Sequence, residues 1–312
     1  MITVLAGGIG AAKFLQGLAA VINPEEITVI VNTGDDALFH GLHVSPDLDT
    51  VMYTLAGVVD PERGWGLRDE TFRCLGALKA LGEESWFQLG DQDLATHLFR
   101  TRRLREGHSL TSVTAQLCAA LGVRARLLPM TDEPAPTILR TSAGVLPFQE
   151  YFVKLRQEPE VLGVDLSAAQ GSEPAPGVVE AIESAAAVII APSNPVISIG
   201  PVVSIRKIQR AISACFAPVL AISPIVGGKA LKGPADRMLA SLGYGSSAVS
   251  VARLYRALAD IFVLDQQDAE LRPEIEALGM KVEVTDTVMR SPETKARLAQ
   301  AVLEALSVHG RK

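Results

Sequence analysis

The first thirteen residues constrain the fold more than any other stretch of the chain. An apolar run from Ile2 to Ala6 leads directly into a glycine-rich turn, and an Ala- and Leu-rich helical pattern follows from Ala11. The glycines of the turn are Gly7, Gly8 and Gly10. Glycine lets a backbone turn tightly and approach a ligand, and the free N–H groups of a helix N-terminus attract anions, above all phosphate. The order strand, turn, helix therefore predicts a phosphate-binding βα unit, to which Lys13 would add a positive charge.

The spacing of these glycines leaves alternatives open. It is not the Walker A pattern, which has four residues between its glycines and ends in Gly-Lys-Ser/Thr. It matches the dinucleotide pattern Gly-x-Gly-x-x-Gly/Ala only loosely, because Lys13 stands where the third small residue belongs. At this point a βα turn without a ligand remains an alternative. So does an NAD-linked oxidoreductase with Asp35 as its ribose ligand.

Composition excludes several classes of protein. Of the 312 residues, 48% are hydrophobic, which supports a large core. The net charge is −6 and no basic stripe carries interleaved aromatic residues, so the sequence predicts no nucleic-acid partner. No apolar run approaches the ~18 residues that span a bilayer, and no leader pattern precedes the first strand, so we expect a soluble, cytoplasmic protein without a membrane partner. The three cysteines, Cys74, Cys118 and Cys215, lack the spacing of a metal-binding or redox motif. We expect all three to be buried.

Short apolar runs alternate with helical patterns along the chain. This alternation predicts a doubly wound, mostly parallel, Rossmann-like α/β sheet with a mixed helical and β insertion. Residues 1–60 and 180–312 would form the nucleotide-binding core, and residues 61–179 would form an inserted subdomain that covers the acceptor site. The core strands are expected at 2–6, 27–31, 187–191, 219–222, 261–264 and 282–284, with a last helix over 292–306. Within the insertion, helices are expected at 69–81, 91–103 and 109–121, and strands at 126–129, 137–141, 145–148 and 161–166.

A cluster of carboxylates follows the second predicted strand. Asp35 and Asp36 follow Asn32, Thr33 and Gly34, and a second acidic pair lies at positions 47 and 49. Parallel strands end at one edge of a sheet, where Mg²⁺ is commonly held by one or two carboxylates together with substrate phosphates. The structural alternative is that Asp47 is a helix N-cap and that the others are turn residues.

Three further segments place small polar or acidic residues at predicted loop ends. The first runs from Trp86 to His97, where aromatic rings precede a helix that carries a histidine. The second and third follow the strands at 187–191 and 219–222 and offer hydroxyl and amide donors. Ordinary turn or capping chemistry is the alternative for each. The candidate residues are Gln88, Asp91, Asp93, Thr96, His97, Ser193, Asn194, Ser198 and Ser223.

Taken in order, these motifs resemble one family. They read Gly-Gly-x-Gly-x-x-Lys at the start, Pro-Asp-Leu-Asp-Thr at 46–50, Leu-Gly-Asp-x-Asp-x-Ala-Thr-His at 89–97, Pro-Ser-Asn-Pro at 192–195 and Ser-Pro-Ile at 223–225. The pattern is similar to that of the 2-phospho-L-lactate transferases of coenzyme F-420 biosynthesis. Trp65-Gly66 and the segment 69–71 further resemble the bacterial branch, the phosphoenolpyruvate transferase type.

The resemblance implies a specific reaction. A guanosine diphosphate ester of lactate or enolpyruvate would be the donor. The ribityl hydroxyl of 7,8-didemethyl-8-hydroxy-5-deazariboflavin would be the acceptor, and GMP would leave. Mg²⁺ is the implied cofactor and a homodimer the implied assembly. The same resemblance assigns Asp36 and Asp49 to catalysis and to the metal. It assigns to donor and acceptor binding Gly7, Gly8, Gly10, Lys13, Asn32, Thr33, Thr50, Gln88, Asp91, Asp93, Thr96, His97, Ser193, Asn194, Ser198 and Ser223.

One departure from the family pattern and one alternative function accompany this interpretation. Gln92 stands where the family commonly has arginine, so a phosphate contact through a fixed positive charge is lost there. The alternative function is a nucleotide-sugar-binding regulatory protein of the same superfamily, which would keep the glycine turn but bind no deazaflavin.

Overall fold

The computed structural model describes residues 1–309. The strands of this part of the chain are β1 (Ile2–Ala6), β2 (Ile27–Val31), β3 (Ala37–Phe39), β4 (Leu42–Val44), β5 (Arg126–Pro129), β6 (Ile138–Thr141), β7 (Gly144–Pro147), β8 (Val161–Asp165), β9 (Ala187–Ile190), β10 (Val219–Ile222), β11 (Ile225–Val226), β12 (Lys229–Ala230), β13 (Ile261–Asp265) and β14 (Lys281–Thr285).

The helices of the same part are α1 (Gly8–Val21), α2 (Pro46–Leu55), α3 (Arg73–Ala80), α4 (Asp93–Arg105), α5 (Leu110–Ala120), α6 (Ser167–Gly171), α7 (Val178–Glu183), α8 (Ile199–Ser204), α9 (Arg206–Ala214), α10 (Ala235–Ser241), α11 (Ala248–Tyr255), α12 (Arg272–Glu276) and α13 (Pro292–His309). Short 3-10 turns lie at Pro24–Glu26 and Gln266–Leu271, and a π-helical turn at Glu150–Lys154.

The central sheet has seven strands in the order β14-β13-β10-β9-β1-β2-β5, and every neighbouring pair is parallel. Its strands are apolar at nearly every position because both faces are covered by helices. In β1, Val4 and Ala6 pack into the core beneath α1, α2 and α13, whereas Leu5 packs into the core on the opposite face, beneath α8, α9 and α11. The structure confirms the doubly wound α/β fold.

The strand order positions the functional site. From β1 the chain adds β2 and β5 on one side, and β9, β10, β13 and β14 follow on the other side. The direction of winding therefore changes between β1 and β9. In open α/β sheets, ligands bind in the crevice that opens at the carboxyl ends of the two strands beside such a point.

The segment between the predicted core halves is mixed, with helices α3 to α5 and a three-stranded antiparallel sheet β7-β6-β8. It also supplies β5 to the central sheet, so the sheet extends beyond the two predicted core segments. The division into a core and an insertion as separate domains stays a prediction. Two hairpins, β3–β4 and β11–β12, were not predicted. The expectation for Cys74 is wrong: its side chain is exposed on α3, whereas Cys118 and Cys215 are buried.

Candidate functional site

A cavity of about 840 Å³ opens at the carboxyl ends of the central strands. Its walls combine the glycine turn after β1, the start of α2 and the loops after β9, β10 and β14. Most of the predicted site residues line it: Gly7, Gly8, Gly10, Lys13, Asp49, Thr50, Gln88, Asp93, His97, Ser193, Asn194, Ser198 and Ser223. Five others do not line it: Asn32, Thr33, Asp36, Asp91 and Thr96.

The glycine turn brings two backbones into contact at the floor of the cavity. Helix α1 begins at Gly8, whose φ of 71° suits glycine. A Cβ on Gly10 would lie 2.1 Å from the carbonyl oxygen of Pro192, so no side chain fits between α1 and the loop after β9. Ser193 Oγ donates to the Gly7 carbonyl at 2.7 Å. These contacts direct the N-terminus of α1 into the cavity, where it can face an anion.

Two carboxylates form a pair beside this turn. Asn32 Nδ2 donates to Asp47 Oδ2 at 2.9 Å and to Asp35 Oδ1 at 3.2 Å. Asp35 and Asp47 are both buried and both line the cavity. Burial raises the pKa of Asp47 to about 7, although the hydrogen bonds from Asn32 and from the Gly8 N–H oppose the shift. Burial and the neighbouring Asp47 charge raise the pKa of Asp35 well above its ordinary value.

The carboxylate pair, Asp35 and Asp47, has no cationic side-chain partner in the described chain. Within residues 1–309 no Lys, Arg or His side chain forms an ion pair with either carboxylate. An oxygen-only donor set of this kind fits Mg²⁺. No group of three or more His, Cys, Asp or Glu side chains in the described chain is arranged to hold a metal alone. A cation at the pair would therefore take further ligands from substrate or water.

Asp36, by contrast, does not line the cavity. Its Oδ2 accepts from Ser45 Oγ at 2.7 Å and lies 3.0 Å from His43 Nε2. Burial raises its pKa, and the contact with His43 opposes the shift. Asp36 thus fixes the β3–β4 hairpin to the start of α2.

Asp49 lies on the cavity wall, but its carboxylate is already paired. Arg100 on α4 binds both Asp49 oxygens, with Nη1 at 3.1 Å from Oδ2 and Nη2 in a close contact with Oδ1. His97 Nδ1 lies 3.8 Å from Asp49 Oδ2, and His97 Nε2 lies 3.2 Å from Asp93 Oδ2. Tyr53 donates to Asp93 Oδ1 at 2.7 Å. This buried network ties α2 to α4.

The segments before α3 and α4 each cap the other segment's helix. Asp91 accepts from the N–H groups of Arg73 and Cys74 at the start of α3. Glu70 in turn accepts from the N–H groups of Gln92 and Asp93 at the start of α4. Asp91 therefore caps α3 and not α4. The suggestion that Asp47 is an N-cap is wrong, because α2 already begins at Pro46.

Gln92 does not line the cavity either. Its Nε2 donates to the carbonyl of Asp69 at 3.2 Å. The effect of glutamine in place of arginine on phosphate binding stays a prediction.

Aromatic rings line another part of the cavity. Phe87 lies on the wall and stacks on Phe39 with ring centroids 3.9 Å apart, and Trp86 packs edge-on against Phe39. Phe148 and Phe152 stack at 5.2 Å and also line the cavity. The sequence singled out the rings at 86–87 but missed Phe148 and Phe152. Their spacing of four residues, one helical turn, was the available signal.

The loop after β9 keeps an unused donor. Asn194 Oδ1 accepts from the Val196 N–H at 2.9 Å, whereas its Nδ2 is buried and has no hydrogen-bond partner within the described chain. A buried donor without a partner is costly, so it marks a position at which a ligand acceptor would be stabilised. Ser223 instead bonds within its own turn, to the carbonyl of Ile225, as turn chemistry predicts.

The fold and the cavity together define an α/β protein that can bind an anionic ligand at its switch point. A family model described as "2-phospho-L-lactate transferase CofD" matches residues 2–302. The phosphoenolpyruvate transferase of Streptomyces griseus is 44% identical over 309 residues, which cover 97% of each chain. The 2-phospho-L-lactate transferase of Methanosarcina mazei is 38% identical over 302 residues, covering 97% of this chain and 99% of the relative. The chain therefore belongs to the 2-phospho-L-lactate transferase CofD family, and it is a transferase.

A structural comparison supports the fold alone. The crystal structure of protein BH3568 from Bacillus halodurans is similar, with a TM-score of 0.66 at 16% identity, and the match covers 97% of this chain and 98% of that one. In the described part of the chain, every helix is too short or too polar to span a bilayer.

Proposed function

We propose that this transferase moves a phospholactyl or phosphoenolpyruvyl group from a guanosine diphosphate ester to the ribityl hydroxyl of 7,8-didemethyl-8-hydroxy-5-deazariboflavin and releases GMP. The observation that carries the proposal is the composition of one continuous cavity. A glycine turn, a carboxylate pair and stacked aromatic rings all line it, and they suit a diphosphate, a metal ion and a flat heterocycle respectively.

The donor would lie along the glycine turn and the loop after β9. The N–H groups at the start of α1 suit its diphosphate. The unpaired Nδ2 of Asn194 supports a polar contact to the guanosine. Ser193 would act indirectly, because its hydroxyl already holds the turn in place.

The acceptor would lie between the two aromatic pairs. Gln149 Nε2 reaches the carbonyl of Asp35 at 3.5 Å, so the segment that carries Phe148 and Phe152 adjoins the carboxylate pair. Stacking on these rings and on Phe87 would hold the deazaflavin, and its ribityl chain would extend toward the carboxylates.

Asp35 and Asp47 are the residues that would hold Mg²⁺, with Asn32 fixing their orientation. When bound, the ion would offset negative charge on the transferred phosphate. We assign the metal ligands to Asp35 and Asp47 rather than to Asp36 and Asp49. Asp36 is bonded to Ser45 beside the β3–β4 hairpin, and Asp49 is paired with Arg100. The homodimer and the cytoplasmic location stay predictions.

An assay with both donors tests the proposal. The purified protein is incubated with the deazaflavin, MgCl₂ and either the lactyl or the enolpyruvyl diphosphoguanosine, and the deazaflavin product is identified by mass. We expect a product with one added phosphate ester and an equimolar amount of GMP. Absence of GMP and product with both donors, from protein that is folded by circular dichroism, would contradict the proposal.

A further inference from the structure

Residues 60–66, between α2 and α3, form a closed turn on a base that belongs to the core. At the base, Val59 and Leu67 form an antiparallel bridge, and both pack against the core beneath α1, α2 and α13. Within the turn, the Asp60 N–H donates to the Gly66 carbonyl at 3.1 Å. The turn, called the cover turn below, is therefore a small hydrogen-bonded unit that projects from a fixed base.

The tip of the cover turn contacts two other segments that line the cavity. A Cβ on Gly64 would lie 3.1 Å from Ile9 Cγ2, in the first turn of α1. Lys232 Nζ, in the loop after β12, donates to the Arg63 carbonyl at 3.0 Å. Ile9 and Lys232 line the cavity, and so does Trp65 of the cover turn. The cover turn thus joins α1 and the loop after β12 in one stretch of cavity wall.

The contacts at the tip are weaker than those at the base. Gly64 has no side chain to bury against Ile9, and Lys232 is exposed, so water competes for its hydrogen bond. At the joint between turn and base, Gly66 has a φ of 69°, and a Cβ there would meet nothing within 4 Å. Segments with few buried apolar contacts and exposed hydrogen bonds open at a low cost in free energy. The packing therefore favours opening of the cover turn as a unit.

We propose that the cover turn is a lid, closed in this structure, which must open for a ligand to enter or leave the cavity. The inference goes beyond the proposed function, because it concerns the exchange of ligands and not the reaction. Closure of such a lid would also keep water from competing with an acceptor hydroxyl during group transfer. If the cover turn were instead a fixed part of the wall, ligand exchange would not depend on its movement.

A disulfide across the closed contact tests the lid. The Cβ of a residue at Gly64 lies close enough to the Ile9 side chain for Ile9→Cys and Gly64→Cys to form a bridge when combined. All variants carry Cys74→Ser, because the native Cys74 is exposed and would also react. The association and dissociation rates of radiolabelled GDP are measured before and after oxidation. We expect oxidation of the double variant to lower both rates about 10-fold, with a smaller change in Kd, and dithiothreitol to restore them.

The two single variants, Ile9→Cys and Gly64→Cys, are the controls. They report any effect of strain at Gly64, whose φ is 77°, and should exchange GDP at the same rates before and after oxidation. A double variant whose bridge is confirmed by mass, but which exchanges GDP as fast as its reduced form, would overturn the lid. Failure of the bridge to form would overturn it as well. If folded wild-type protein does not bind GDP, the proposed function fails, and a measurement without ligand decides the lid.

That measurement is the reaction of the Ile9→Cys thiol with N-ethylmaleimide, at a pH near 9.5 so that thiol ionisation does not limit the rate. Adding Lys232→Met removes the hydrogen bond to the Arg63 carbonyl. We expect the thiol to react about 10-fold faster, because the lid opens more often. Lys229→Met is the matched control, since Lys229 is exposed on β12 and does not line the cavity, and it should leave the rate unchanged. Equal rates with and without Lys232→Met would overturn the proposal.

Discussion

At the scale of single residues, Asp47 shows how its proposed metal-binding role conflicts with the stability of the fold. Its carboxylate is buried beside Asp35 and receives hydrogen bonds from Asn32 and the Gly8 N–H, yet burial still raises its pKa to about 7. A folded-state pKa above the unfolded value means that the fold prefers the protonated carboxyl. The folded state therefore loses stability as the pH rises from about 4 to about 7 and the group ionises.

Asp47→Asn removes this penalty. In metal-free buffer at pH 8 we expect the variant to be more stable than wild type, by on the order of 2 kcal/mol or more, because the ionised carboxylate is gone. The difference should shrink toward zero as the pH falls to about 4. Transferase activity should fall at least 100-fold if Asp47 holds the metal ion. Urea unfolding across this pH range and the GMP-release assay measure the two effects.

Asp69→Asn is the control for this prediction, because it makes the same charge change at an exposed position away from the cavity. It should leave activity and the pH profile of stability unchanged. Equal stability of wild type and Asp47→Asn at pH 8 would contradict the prediction, because it would show that ionised Asp47 does not lower the free energy of unfolding.

The sequence could predict which residue types gather at the site but not which oxygen faces which way. Asp35 and Asp36 are neighbours, yet only Asp35 lines the cavity, whereas Asp36 is engaged by His43 and Ser45. Asp49 lies at a motif position expected for a metal ligand. Its carboxylate is instead paired with Arg100, a buried arginine on a helix distant in sequence. Both outcomes depend on partners brought in by tertiary packing, which local spacing does not encode.

At the scale of elements, the first helix and the loop after β9 meet at a glycine. Gly10 allows the α1 backbone to pass the carbonyl of Pro192, and a Cβ there would lie 2.1 Å from that oxygen. This contact holds the N-terminus of α1 next to Ser193 and Asn194. The crossing therefore supports both the fold and the geometry of the proposed donor site.

Gly10→Ala should damage both properties. We expect a loss of about 1–3 kcal/mol in the free energy of unfolding, because two backbones must separate, together with at least 10-fold weaker GMP binding. Gly76→Ala is the matched control: Gly76 lies within α3 and a Cβ there meets nothing within 4 Å. The control should gain about 0.5–1 kcal/mol through helix propensity and bind GMP like wild type. Urea unfolding and calorimetry measure both variants, and a Gly10→Ala protein with normal binding would contradict the argument.

Elements with long apolar patterns were predictable from sequence, whereas short or exposed ones were not. The strands at 27–31 and 219–222 match their predicted limits, because parallel strands buried on both faces read as continuous apolar runs. The hairpin β3–β4 has three-residue strands, too short to show a period, and its turn depends on His40 and Gly41 at positive φ. The predicted helix over 69–81 begins only at Arg73, where Asp91 from a later loop caps it.

At the scale of the whole molecule, donor and acceptor features line one cavity rather than two. Such a cavity can hold both substrates at once. The transferred group can then pass directly from donor to acceptor, unless a side chain of the protein first forms a covalent intermediate with it. Several side chains that could form a covalent intermediate are already engaged. Ser193 and Ser223 donate to backbone carbonyls, and His97 is 1% exposed between Asp49 and Asp93. Cys118 and Cys215 are buried and, like Cys74, do not line the cavity.

Direct transfer between bound substrates is therefore expected. Initial rates measured with donor and acceptor both varied should give intersecting double-reciprocal lines, because a ternary complex forms before GMP leaves. Protein incubated with donor and Mg²⁺ but without deazaflavin should release no burst of GMP. Parallel lines, or a burst equal to the enzyme concentration, would mean that a side chain accepts the group first. Mass spectrometry of the donor-treated protein would then locate the modified residue, which the packing around Ser193, Ser223 and His97 argues against.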